Sequence, residues 1–266
     1  MSFKKLILVV TATLTATFAV VSLAQAANLA SYRAVYNARL SNVSNGANVT
    51  AVTGQIAYGA KRTCGAWLVN QAGGMYFQTT TGDVIPQPLN YSSWESEDGL
   101  QFRFSVMGDE PDTTILGGAK RTGLGGEAQF TKPEPVNFTL PEGTIFPFEH
   151  TAYILDQAQA GHTQFENYVF DGTDVEGAKL LVTFVTAMSG DVVERLSSFS
   201  APALKKTGWN FRMAYFDPAE RSSVPIYEIE ADFLDNGIPV RWVMDYGDFA
   251  IELRMEKFES LPDPNC

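Results

Sequence analysis

From residue 32 onward the hydrophobic pattern is that of strands. Tyr32, Ala34, Tyr36, Ala38 and Leu40 share one face, while Arg33, Asn37 and Arg39 take the other, a period of two. Leu100, Phe102, Phe104 and Val106 alternate with Gln101, Arg103 and Ser105. Near the C-terminus Tyr227, Ile229, Ala231 and Phe233 alternate with Glu228, Glu230 and Asp232. Two more such runs follow, Val240, Trp242, Met244 and Tyr246, then Phe249, Ile251, Leu253 and Met255. The same reading predicts strands over 49–58, 67–70, 75–81, 91–97, 136–140, 165–170, 179–186, 192–200 and 209–216.

Asn45-Gly46, Asp98-Gly99, Asn236-Gly237 and Gly247-Asp248 read as tight turns, because Gly and Asn tolerate positive φ. Residues 60–62 and Gly73-Gly74 are read as turns as well. Pro86 and Pro88 mark an irregular connection, and the five glycines between 117 and 126 read as a flexible hairpin tip. One helix interrupts the pattern over 148–160, with Pro147 ahead of it and Gly161 at the position after its end. Phe148, Ala152 and Leu155 lie on one face of it with Tyr153 beside, so it is expected to pack on the sheet or inside its curve. About a dozen strands joined by tight turns imply an antiparallel meander, too long to stay flat and open. The expected fold is therefore all-β, a single domain over 27–266 made of one curled antiparallel sheet and one substantial helix.

The first residues change the setting. Lys4 and Lys5 precede an apolar run over 6–23, and Ala24-Gln25-Ala26 supplies the small-x-small triplet of a signal peptidase site. The threonines and the triplet favour a cleaved signal peptide, residues 1–26, over a retained anchor. The expected product is periplasmic, begins near Ala27, and is not an integral membrane protein. The net charge is −11 at pH 7 and falls by two more when Lys4 and Lys5 are removed. Such an acidic chain lacks the basic stripe that nucleic acid or an anionic membrane requires. In an oxidising compartment the only two cysteines, Cys64 and Cys266, are expected to pair, with two free thiols as the alternative. The bond would close a loop of about 200 residues, with a chain-entropy effect of about 5 kcal/mol at most.

Catalytic candidates are few. His150 and His162 stand twelve residues apart at opposite ends of the helix, so they are no metal-binding i, i+4 pair. HExxH, CxxC and GxSxG are absent, and nothing points to a Ser-His-Asp site. Phe170-Asp171-Gly172-Thr173 is close to a phosphatase DxDGT loop, but Val169 stands where the nucleophilic aspartate would be. Asp171, Asp174 and Glu176 lack EF-hand spacing and read as a polar turn. No cofactor or metal is expected. The aromatic residues read first as core. A curled sheet around one apolar helix also resembles the cup of periplasmic carriers of lipid-modified proteins, which makes Trp67, Phe148, Ala152, Tyr153 and Leu155 the candidate lining of an apolar pocket.

Several segments in order carry a wider resemblance. They are Ser31-Tyr32-Arg33-Ala34-Val35-Tyr36, the Cys64…Trp67 element, Trp94-Glu95-Ser96-Glu97-Asp98-Gly99 and Leu140-Pro141-Glu142-Gly143-Thr144-Ile145-Phe146-Pro147. Val169-Phe170-Asp171-Gly172-Thr173-Asp174, Asn236-Gly237, Asp245-Tyr246-Gly247-Asp248-Phe249 and the terminal cysteine follow. Together they resemble the EipB-like family of alphaproteobacterial periplasmic cell-envelope integrity proteins. That family's pattern has an acidic residue and a glycine before the tryptophan, where this chain has Gly65-Ala66. The resemblance implies a spiral sheet of about fourteen strands, a Cys64–Cys266 disulfide and a role in envelope stability without catalysis. The expected function is a non-catalytic envelope-integrity protein acting through contacts with an unidentified periplasmic or envelope protein. The alternative is a carrier or sensor of a lipid or acyl chain held in the curl.

Overall fold

The protein is described by a computed structural model, covering residues 28–108, 113–123, 125–220 and 222–266. The expected signal peptide lies outside the described residues. The first meander runs through β1 (Tyr32–Val43), β2 (Val49–Thr63), β3 (Ala66–Thr79), β4 (Val84–Ser96), β5 (Gln101–Val106), β6 (Ile115–Thr122), β7 (Gly125–Lys132) and β8 (Val136–Leu140). After the two-residue β9 (Thr144–Ile145) comes α1 (Pro147–Gln159), within one residue of the predicted helix. The second meander is β10 (Gln164–Val169), β11 (Lys179–Ala187), β12 (Gly208–Phe216), β13 (Tyr227–Leu234), β14 (Pro239–Asp245) and β15 (Phe249–Ser260).

All fifteen strands form one sheet, in the order β8 to β1, then β15 down to β9. The two meanders join where β15 pairs antiparallel with β1. The β9–β10 pair is parallel, and every other pair is antiparallel. The sheet's two edges, β8 and β9, are neighbours in sequence, so the ribbon curls nearly shut. Phe170, just past β10, meets Phe102, Phe104 and Phe130 of the first meander edge-to-face, with ring centroids 5.6–6.3 Å apart. That contact carries the core across the opening.

The inner face is the one the alternation predicted: Tyr32, Ala34, Tyr36 and Ala38 are buried while Arg33, Asn37 and Arg39 are not. Across the outer face of the seam, Glu252 on β15 is buried and meets the guanidinium groups of Arg39, Arg241 and Arg254. Arg241 also pairs with Glu230 at 2.6 Å and Asp232 at 3.0 Å, which ties β13, β14, β15 and β1 together.

Five local readings are corrected. Gly73-Gly74 makes no turn, because β3 runs straight through it. A Cβ on Gly73 would collide with the Gln55 carbonyl, and one on Gly54 with that of Gly74, so these glycines allow β2 and β3 to approach closely. The turn expected at 60–62 falls at Cys64-Gly65, where Gly65 adopts φ +92°. Pro86 and Pro88 lie inside β4, which β5 pairs only along residues 91–95, so a missing N–H there breaks no ladder on that side. Of the expected glycine tip, Gly117 and Gly118 sit in β6, and Gly117 leaves room for the Phe104 ring. Instead of a strand over 192–200 there is a helix, α2 (Gly190–Ser197). Its Val192 and Leu196, four apart, are both buried while Val193 is exposed, a helical spacing that two adjacent β-branched residues obscured.

Candidate functional site

Helix α1 enters the curl with its first amides unpaired by any local cap. The cap position is Phe146, whose side chain accepts no hydrogen bond. The acceptor comes from β4. Glu95 Oε2 accepts from the Phe148 amide and Oε1 from the Glu149 amide, both at 2.8 Å. The positive end of the helix favours this carboxylate, yet Glu95 is only 4% exposed. Burial pushes its pKa up to about 7, against the pull of the two amides and of Arg121.

The surrounding groups complete a mouth of ≈ 500 Å³. Trp67, in register beside Glu95, stacks on Phe148 with ring centroids 4.0 Å apart, and the Arg62 guanidinium lies 6.0 Å from the Trp67 ring. Arg121 donates to Glu149 at 2.6 Å and to the Thr144 carbonyl at 2.9 Å, with its guanidinium over Phe146. Glu97 pairs with Arg62, and Asp98 accepts from Ser96 and the Leu100 amide. Every carboxylate of the mouth therefore has a structural partner. The arrangement anchors a helix to a sheet and leaves none of its acids without a partner for general acid–base chemistry.

Of the expected pocket residues, Trp67, Phe148 and Ala152 do line this mouth. Leu155 does not; it is fully buried in the core. Tyr153 packs edge-to-face on Phe165 at 5.5 Å. The centre of the curl is filled by the chain's own side chains, among them Tyr36, Phe102, Phe146, Ile154, Phe170 and Phe211. His150 is buried with Nε2 unpartnered among the described residues, and burial pushes its pKa down to about 4. His162 is exposed, with Nδ1 2.6 Å from Gln157. Asp171 bonds the Thr173 amide and hydroxyl, and Asp174 and Glu176 both pair with Lys179, as in a polar turn. Among the described residues no cluster of His, Cys, Asp and Glu could hold a metal ion, and no helix is long and apolar enough to cross a membrane.

Glu95 is the residue that sequence reading missed as a site. Its only local signal is its place between Trp94 and Ser96, whereas its partners lie more than fifty positions away. The disulfide is formed. Cys64 and Cys266 are bonded with Cα atoms 5.8 Å apart, inside the usual range. The C-terminal segment is held further by the Leu261 amide on the Ser31 carbonyl at 2.9 Å and by Ser31 Oγ on Asp263 at 3.2 Å.

A sequence model described as EipB-like matches residues 23–262. The chain belongs to the EipB-like family. A curated relative, "Cell envelope integrity protein EipB" from Brucella abortus, is 26% identical over 248 residues, covering 90% of this chain and 86% of the relative. A crystal structure of a beta-barrel-like protein of a domain of unknown function from Brucella abortus superposes with TM-score 0.80. It shares 22% identity and covers 89% of this chain and 100% of that one. This EipB-like chain thus shares its nearly closed, barrel-like sheet with a solved protein.

Proposed function

We propose that the chain is an exported periplasmic protein that contributes to cell-envelope integrity without catalysis, through contacts with envelope or periplasmic proteins. The observation that carries this reading is the likeness, along nine-tenths of the chain, to the relative named for envelope integrity. The export signal at the N-terminus supports the compartment, and the structurally engaged acids of the mouth support a non-catalytic role. The competing idea, a lipid or acyl chain inside the curl, gains no support from a centre filled by aromatic side chains.

Deletion of the gene should sensitise cells to detergents and cell-wall antibiotics, with resistance restored by the intact gene. Unchanged resistance overturns the reading. Mass spectrometry of protein recovered from the periplasm should show cleavage near Ala27.

A further inference from the structure

The outward residues of β15, β1, β2 and β3 form a hollow on the opposite face of the sheet from the core. In register across these strands, Lys257 faces Val35, Val35 faces Ala57, and Ala57 faces Ala72. One step along, Arg33 faces Gly59, and Lys61 faces Leu68. Small side chains and one glycine sink the floor, giving a groove of ≈ 590 Å³, within the range of about 300–1,000 Å³ typical of ligand pockets. Leu261 bounds it, on the segment that the Ser31 hydrogen bonds and the Cys64–Cys266 bond hold down.

The rim is cationic. Arg33, Lys61 and Lys257 surround the apolar floor, and among the described residues none of the three is ion-paired. Glu259, in register with Arg33, is the one carboxylate there. In a chain with 30 acidic residues against 19 basic ones, three unpaired cations around one apolar hollow are a local departure from the overall charge. A concave groove suits a single chain better than a flat bilayer. We propose that this outer groove binds one acyl chain with an anionic head, of the long-chain fatty-acid class, the chain on the floor and the carboxylate among Arg33, Lys61 and Lys257. The envelope reading above supplies only the physiological source of such a ligand; the binding inference stands on the groove.

The test uses three soluble amphiphiles with the same tail and different heads: dodecanoate, dodecyl maltoside and dodecyltrimethylammonium. Each is titrated calorimetrically below its micellar concentration into the mature chain. Long-range attraction to an acidic protein favours the cation, so only the local rim can favour the anion. Dodecanoate should bind about tenfold tighter than the trimethylammonium compound, an effect of the size expected for one or two partly solvated charge pairs. The exposed double variant Lys61→Glu/Lys257→Glu should reverse that order, and Leu68→Asp should abolish binding of all three, with melting curves checked for folding. Equal or tighter binding of the cation by the unaltered chain overturns the proposal, as does unchanged dodecanoate binding in the folded charge variant. Binding to phosphatidylglycerol vesicles without dodecanoate binding overturns it in favour of a bilayer surface. No binding at all also overturns it, while the envelope role, read from the deletion strain, stands or falls separately.

Discussion

Glu95 and His150 are both buried and shift their titration in opposite senses. Burial raises the Glu95 pKa from 4.5 to about 7 and lowers that of His150 from 6.5 to about 4. Between about pH 4.5 and 6.5 the unfolded chain holds the His proton and the native chain holds the Glu proton. The proton counts match, so the two slopes cancel and these groups leave native stability nearly flat across that window. Each gap is about 2.5 pH units, which at about 1.4 kcal/mol per unit makes about 3 kcal/mol per residue, an upper figure. Glu95→Gln removes one slope. It also opposes an amide donor to a helix N–H, a pH-independent loss of about 1 kcal/mol. The variant's stability should then rise by up to about 3 kcal/mol from about pH 4 to 6.5, as His150 ceases to favour the protonated unfolded chain. His150→Phe should do the reverse, with stability falling as pH rises from about 4.5 to 7 while the buried Glu95 ionises. The assay is urea unfolding at several pH values, followed by tryptophan fluorescence and always expressed as the difference from the unaltered protein. A flat difference curve for Glu95→Gln would refute the reasoning. A curve of opposite sign would mean that the two helix amides outweigh burial, and that Glu95 is a charged cap at all these pH values.

Reducing the Cys64–Cys266 bond, or changing Cys64 to Ser, should lower the unfolding free energy read from guanidinium titration by up to about 5 kcal/mol for a loop of 202 residues' separation; identical unfolding curves with and without reductant would contradict this. At the seam, Glu252→Gln should cost about 3 kcal/mol, because it leaves the guanidinium groups of Arg39, Arg241 and Arg254 without their shared carboxylate. Burial pushes the Glu252 pKa up, but those three groups hold it below the usual carboxylate range. Its stabilisation is therefore complete above the unfolded pKa and lost as pH falls through the lower native one, so the variant's penalty should shrink in acid. A penalty independent of pH would count against the network.

The strand faces were legible because burial on one side of a sheet writes a period of two into the chain, as at Tyr32 to Ala38 and Gln101 to Phe104. Turns such as Asn45-Gly46 and Asp98-Gly99 were legible because positive φ restricts residue choice, and α1 announced itself through Pro147 and Gly161. With only two cysteines in the sequence, any intramolecular bond had one choice of partners. Glycines and prolines misled where they serve contacts between strands: Gly73 admits the Gln55 carbonyl, and Pro86 sits where β4 lacks β5 beside it. Local pattern reports only which face of an element is buried. Tertiary structure alone decided that β15 closes onto β1, that the curl's centre is filled by its own aromatics, that Glu95 caps a helix from another strand, and that Arg33, Lys61 and Lys257 gather around one groove. Those outcomes depend on which strands become neighbours, and that is settled by the packing of distant segments against each other.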